Sequence, residues 1–166
     1  LFRLRPGHGA AVVEMGTNHF GEVRYLAEVA RPTHGVITNI GREHLQFFRN
    51  VAGVARAEGE LFAWLARSGG TAIVNADDDH VYRLAECNGR KISYGFGACA
   101  GSVRGSRLEI NRSGLAQFTV GRRGGRPFSV RLAAPGRHAA SNALAAAAVG
   151  LAFGVPAAGI RTALAR

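Results

Sequence analysis

The chain has 166 residues, 47% of them hydrophobic, which suits a single α/β domain with a buried core. A membrane span needs about 18 consecutive apolar residues, and the most apolar stretch here, 141–153, is short and dominated by alanine, so membrane insertion is not expected. The formal net charge of +10 comes from 20 arginines and the lone lysine Lys91, and these are scattered rather than gathered on one helix. Even the tightest group, Arg122, Arg123 and Arg126, sits on a glycine-rich turn, which speaks against nucleic acid and for a solvated surface or an anionic substrate.

In chain order, residues 10–14 (Ala-Ala-Val-Val-Glu) read as a short buried strand ending in a charge. Gly16-Thr17-Asn18-His19 reads as a loop. Residues 21–30 place Val23, Leu26, Ala27 and Ala30 on one helical face, and Arg31-Pro32 stops that helix. Residues 35–39 are a second strand, predicted to lie parallel to the first across a helical crossover. The spacing predicts a helix over 51–66, ended by Ser68-Gly69-Gly70, then a strand over 71–75, a short helix over 78–85 and a strand over 91–94. The pattern then changes: 106–111, 115–120 and 127–132 alternate as antiparallel strands joined by turns, a meander spanning about 103–134. A helix over 138–153 and a last one opened by Pro156 complete the chain. The expected fold class is α/β, a mostly parallel Rossmann-like sheet with a small antiparallel appendage. Open parallel sheets bind ligands beyond the carboxyl ends of their strands.

Several residues near those ends could carry chemistry. Glu14 closes the first predicted strand, either as a solvated strand end or cap, or as a ligand. His44 follows the second, after Asn39-Ile40-Gly41, so the two could converge on one metal. Glu58 falls inside the apolar stripe of Val54, Leu61 and Leu65, where an acid needs a partner; Glu60 falls outside it and is expected to face solvent. Asn75-Ala76-Asp77-Asp78-Asp79 reads as a helix cap. Asn142, ahead of a run of small residues, carries an amide able to read an adenine edge. Cys87 and Cys99 are too few for a disulfide framework or a zinc site and read as reduced thiols. A phosphate loop with Lys followed by Ser or Thr is absent, because Lys91 stands in a strand context.

Together these residues resemble the Mur ligase middle domain. The resemblance runs through Glu14 to Glu22, Arg31 to Leu45, Val74-Asn75-Ala76-Asp77-Asp78, Tyr94-Gly95-Phe96-Gly97, Pro135-Gly136-Arg137-His138 and Asn142 to Ala146, in that order. Its Gly-x-Asn-His-x-Gly-Glu version is most similar to the branch that adds D-alanyl-D-alanine to UDP-MurNAc-tripeptide. The resemblance implies a cytoplasmic, ATP-dependent amide ligase of peptidoglycan synthesis working through an acyl phosphate. It implies magnesium, for which manganese can substitute, held by Glu14 and His44 with Glu58 as a third candidate. It also implies adenine contacts from Asn142 and His138, and substrate contacts from Thr17, Asn18, His19 and Asn39.

The resemblance further implies one central ATP-binding domain over 1–166. The phosphate loop, a domain gripping the UDP end and a domain bringing the dipeptide are then expected outside a chain that opens Leu1-Phe2-Arg3, which alone should be inactive. Two departures stand out. Glu58 aligns with the family's carbamylated lysine, and Ala139 replaces a usual asparagine. They leave open a degenerate, non-catalytic binding module, beside a cyanophycin-synthetase-like or folylpolyglutamate-synthase-like ligase.

Overall fold

The computed structural model describes residues 4–41, 45–97 and 101–166. Six strands form one sheet in the order β1-β2-β3-β4-β5-β6. Strands β1 (His34–Ile37), β2 (Thr71–Asn75), β3 (Arg90–Gly95) and β4 (Val103–Ile110) run parallel. Strands β5 (Leu115–Arg122) and β6 (Phe128–Pro135) then turn back antiparallel. The helices are α1 (Glu22–Ala30), α2 (Leu45–Phe48), α3 (Val51–Glu58), α4 (Glu60–Ser68), α5 (Asp79–Leu84), α6 (Arg137–Ala152) and α7 (Ala157–Leu164).

The two-residue period of a strand divides the core. Ala72 and Val74 of β2 face a cluster with Val54, Phe62, Leu65 and Val81, drawn from α3, α4 and α5. Ile73, between them, faces the opposite cluster, where Tyr94, Phe118 and Val120 meet α6 and α7. Alanine makes the second contact close: Ala140, Ala143, Ala145, Ala147 and Ala148 of α6 are all buried. On the first side, a methyl group on Gly35 would stand 2.9 Å from Leu61 and Leu65, so β1 needs glycine there to meet α4.

Three sequence expectations change. Residues 10–14 form no strand: they are unpaired and exposed, Val12 by 93% and Val13 by 46%. A strand requires a neighbour for its backbone groups, and the only described neighbour of β1 is β2. The predicted parallel pair over 10–14 and 35–39 is therefore replaced by the pair β1–β2. The helix predicted over 51–66 is two helices divided at Gly59, where a methyl group would stand 2.7 Å from Leu84 and 2.8 Å from the Ala55 carbonyl. Glu60 does not simply face solvent. It is half-buried, and its carboxylate accepts the Gly21 N–H at 2.8 Å and the Arg24 N–H at 2.9 Å. Gly21 has no side chain with which to cap α1, so a residue of α4 caps it from across the fold.

The strand over 71–75 and the C-terminal meander appear as expected, with β4 extended to Val103. Arg107 adopts a φ of 52°, a positive value shared only by Arg31 and Arg49 among described non-glycine residues, and lies where the β4–β5 register shifts between Ser106 and Glu109. Among the described residues no helix is long and apolar enough to cross a membrane.

Candidate functional site

The carboxyl ends of β1, β2 and β3 are tied into one edge by the turn after β2. Asn75, 4% exposed, donates its Nδ2 to the Thr38 carbonyl at 2.6 Å, and its Oδ1 accepts the Asp77 N–H at 3.0 Å. Asp78 caps α5, as the sequence indicates, with Oδ1 accepting the His80 and Val81 N–H groups. Its Oδ2 reaches the other way and accepts the Ile40 N–H at 2.9 Å. Asp77 accepts the Phe96 N–H at 2.6 Å and the Gly97 N–H at 2.8 Å. A methyl group on Gly95 or Gly97 would stand 2.7 Å from the Asp77 carboxylate, which explains glycine on both sides of Phe96. Sequence reasoning found the local cap but missed the reach to β1 and β3, since nothing in the Asn-x-Asp-Asp spacing tells which distant loops will be gripped.

Tyr94, beneath this edge, has a buried hydroxyl with no hydrogen-bond partner among the described residues. Burial first, then the charges of Asp77 and Asp78, push its ionisation well above the ordinary tyrosine range, so it is a neutral hydroxyl at all working pH values.

A second loop, ahead of α1, is organised by Glu22. Its Oε2 accepts the Asn18 N–H at 2.7 Å, the His19 N–H at 3.0 Å and the Thr17 hydroxyl at 3.2 Å, while Oε1 lies 3.0 Å from His19 Nδ1. These bonds hold the Glu22 pKa down from 4.5 to about 2, the Asn18 N–H foremost, then the His19 ring and N–H, with Thr17 last. An acid in the first turn of a helix was the available signal for this role. The loop leans on neighbouring helices through rings: His19 on Phe47 at 5.8 Å between centroids, Phe20 on Phe48 at 5.1 Å, and the Arg56 guanidinium 4.3 Å above Phe20.

The structure treats the expected site residues unequally. Thr17, Asn18 and His19 share the Glu22 loop, with the His19 side chain 72% exposed. Asn39 is exposed at the β1 end, and the Thr38 hydroxyl donates to its Oδ1 at 3.3 Å. Glu14 is exposed in the unpaired segment, and Glu58 is half-buried as the last residue of α3. His44 lies outside the described residues, so the expected meeting of Glu14 and His44 is not described; nor is Cys99, while Cys87 is an exposed free thiol. Among the described residues no three His, Cys, Asp or Glu side chains are grouped closely enough to hold a metal. His138 and Asn142 are both exposed near the start of α6, four residues apart and so on one helical face.

This arrangement of elements has relatives. The family described as Mur ligase middle domain matches residues 1–150. The chain is 34% identical over 167 residues to UDP-N-acetylmuramoyl-tripeptide–D-alanyl-D-alanine ligase of Escherichia coli K12, covering 99% of this chain and 36% of that protein. The Synechocystis protein of the same name is 33% identical over 159 residues, covering 93% and 32%. Among solved structures, MurF from Acinetobacter baumannii matches with a TM-score of 0.85 at 34% identity, covering 97% of this chain and 35% of that one. MurF from Thermotoga maritima in complex with ADP matches in fold, with a TM-score of 0.72 at 18% identity over 86% of this chain and 32% of its own. The chain thus spans about a third of the length of the relatives it matches. With sequence and fold in agreement along nearly its whole length, the chain belongs to the Mur ligase middle-domain family.

Proposed function

We propose that this chain is the central nucleotide-binding domain of a cytoplasmic ligase that adds D-alanyl-D-alanine to UDP-MurNAc-tripeptide. The observation that carries the proposal is whole-chain relatedness, in sequence and in fold, to ligases named for that reaction. In the proposed reaction the tripeptide carboxylate attacks the γ-phosphorus of ATP and ADP leaves. The amine of the dipeptide then attacks the acyl carbon, an amide forms, phosphate leaves and the amine gives up a proton. Stabilising the charge spread over the transferring phosphoryl group is chiefly an electrostatic and positioning task.

The residues present fit parts of this chemistry. Glu14, exposed, and Glu58, half-buried, offer the hard oxygen donors that magnesium takes, with His44 as the third member of the proposed set. Manganese tolerates the imidazole better. His138 and Asn142 share an exposed helical face to which adenine could be held, and Asn142 has both a donor and an acceptor for its edge. No phosphate loop lies within the chain, so the β- and γ-phosphates must be gripped by other parts of the ligase, and this chain alone should bind Mg-ATP very weakly.

A second reading, a non-catalytic module of the same family, is favoured by Glu58 in the lysine position and Ala139 in the asparagine position. The deciding experiment uses the full-length protein carrying this chain. Phosphate release that requires ATP, UDP-MurNAc-tripeptide and D-alanyl-D-alanine together, with the pentapeptide product seen by mass, supports the ligase. ATP binding without any turnover supports the module.

A further inference from the structure

We infer that Asn75 and Asp78 are positioning residues that hold Asn39 as a hydrogen-bond donor toward an anionic oxygen of the substrates; the inference rests on the ligase reading above. Asn39 stands just past β1, at the carboxyl edge where ligands of parallel sheets bind. Its two flanking peptide groups are both gripped from the turn after β2. Asn75 Nδ2 donates to the Thr38 carbonyl before it at 2.6 Å, and Asp78 Oδ2 accepts the Ile40 N–H after it at 2.9 Å.

The grips are themselves anchored. Asn75 is 4% exposed and its Oδ1 is held by the Asp77 N–H, while Asp78 Oδ1 is fixed by the first turn of α5. Ile40, 8% exposed, adds an apolar anchor on the far side. Between these fixed points the Asn39 side chain is left in solvent.

Its amide also has a contact at one end. The Thr38 hydroxyl donates to Asn39 Oδ1 at 3.3 Å, which occupies the acceptor end of the amide. The Nδ2 group has no partner among the described residues, so the end offered outward carries two N–H donors and no acceptor. A donor whose flanking backbone is fixed in advance needs little reorganisation when negative charge arrives, which is where such a group acts most strongly. The reacting groups that carry such an oxygen in the proposed reaction are the acceptor carboxylate of the UDP-MurNAc-peptide and the γ-phosphate of ATP.

The test uses the full-length ligase. A wild type with no turnover dependent on both peptide substrates overturns the ligase reading, and this inference with it; an active wild type isolates the inference. Asn39→Ala should then lower kcat/KM by about 10- to 100-fold, as for loss of a hydrogen bond to a charged group. Asn39→Asp, which replaces the donors by a negative charge, should fall further still. A rise in KM for UDP-MurNAc-tripeptide assigns the carboxylate, and a rise in KM for ATP assigns the phosphate. Asp78→Asn and Asn75→Ala should each cost about 10-fold in the wild-type background and almost nothing more when Asn39 is already alanine. Hydrogen exchange over residues 38–41 should quicken in Asp78→Asn while the global urea midpoint is kept, which separates positioning from folding. Asp tolerated at position 39 as well as Asn, or losses that simply add in the double variants, would overturn the inference.

Discussion

Replacing Glu60 by alanine should loosen α1 although the two residues it holds, Gly21 and Arg24, are far away in sequence. Both N–H groups lie in the first turn of α1, where no intrahelical acceptor exists, and Glu60 takes them at 2.8 and 2.9 Å. A hydrogen bond to a charged group contributes about 1.5–3 kcal/mol, and the half-buried position of Glu60 places each of these two bonds near or below the lower end. Favourable placement at the helix N-terminus overlaps with the same term and adds at most a few tenths. The expected loss for Glu60→Ala is therefore about 2–3 kcal/mol, or a melting temperature lower by about 4–12 °C for a chain of this size. Glu60→Gln keeps one acceptor and should lose about half as much. Urea unfolding with an unchanged m value measures the loss, and amide exchange at Gly21 and Arg24 locates it. A Glu60→Ala variant within about 0.5 kcal/mol of wild type, the range of an ordinary surface substitution, would refute the reasoning.

Two further outcomes are expected. Because the folded pKa of Glu22 is depressed from 4.5 to about 2, its contribution to order in the 17–22 loop is fully present above pH 4.5 and is lost as pH falls from there through about 2. Amide exchange at Asn18 and His19 should show this midpoint, and Glu22→Gln should abolish it. In the proposed full-length ligase Glu58→Gln should cost about a hundredfold in rate if the carboxylate replaces the carbamate that the family resemblance implies. Bicarbonate should leave the wild-type rate unchanged, since Glu58 stands at the carbamate position and the only lysine of this chain, Lys91, lies in β3; lowered thermal stability with an unchanged rate would make Glu58 a structural acid instead.

The parts of the fold that were legible in sequence are those fixed by neighbours along the chain. Thr71–Asn75 is bounded by Gly69-Gly70 and by a capping acid, so β2 appears at the residues expected. The meander carries its own turns, and the alanine run from Ala143 to Ala148 shows where α6 must approach the sheet. Residues 10–14 mislead because apolar, β-branched composition describes a segment suited to a sheet without supplying the strand that would pair with it. The 51–66 period continues smoothly through Gly59, and only the three-dimensional closeness of Leu84 reveals the break. For the candidate site, residue types pointed to the carboxyl edge of the sheet, yet the bonds that organise that edge join Asn75 to Thr38 and Asp78 to Ile40, and the start of α1 is held by Glu60 on Gly21. Each spans more than 30 residues, beyond the range of any local pattern.

The change from parallel to antiparallel pairing at β4 divides the sheet by the length of chain each pairing must close. Strands β4, β5 and β6 meet through short turns, whereas pairing His34 with Thr71 requires residues 38–70 to be gathered first. Closing a long segment is entropically costly before any contact rewards it, so non-local pairing is slow. The meander and α6 are accordingly expected to form first, and β1 with α4 last. Weakening Val120 should then slow folding, while weakening Ile37 or Leu65 should chiefly speed unfolding, a partition that a chevron analysis reads directly. Until β1 docks, the flank of β2 stands open to any extended segment that reaches it first, so the yield of refolded chain should fall as its concentration rises.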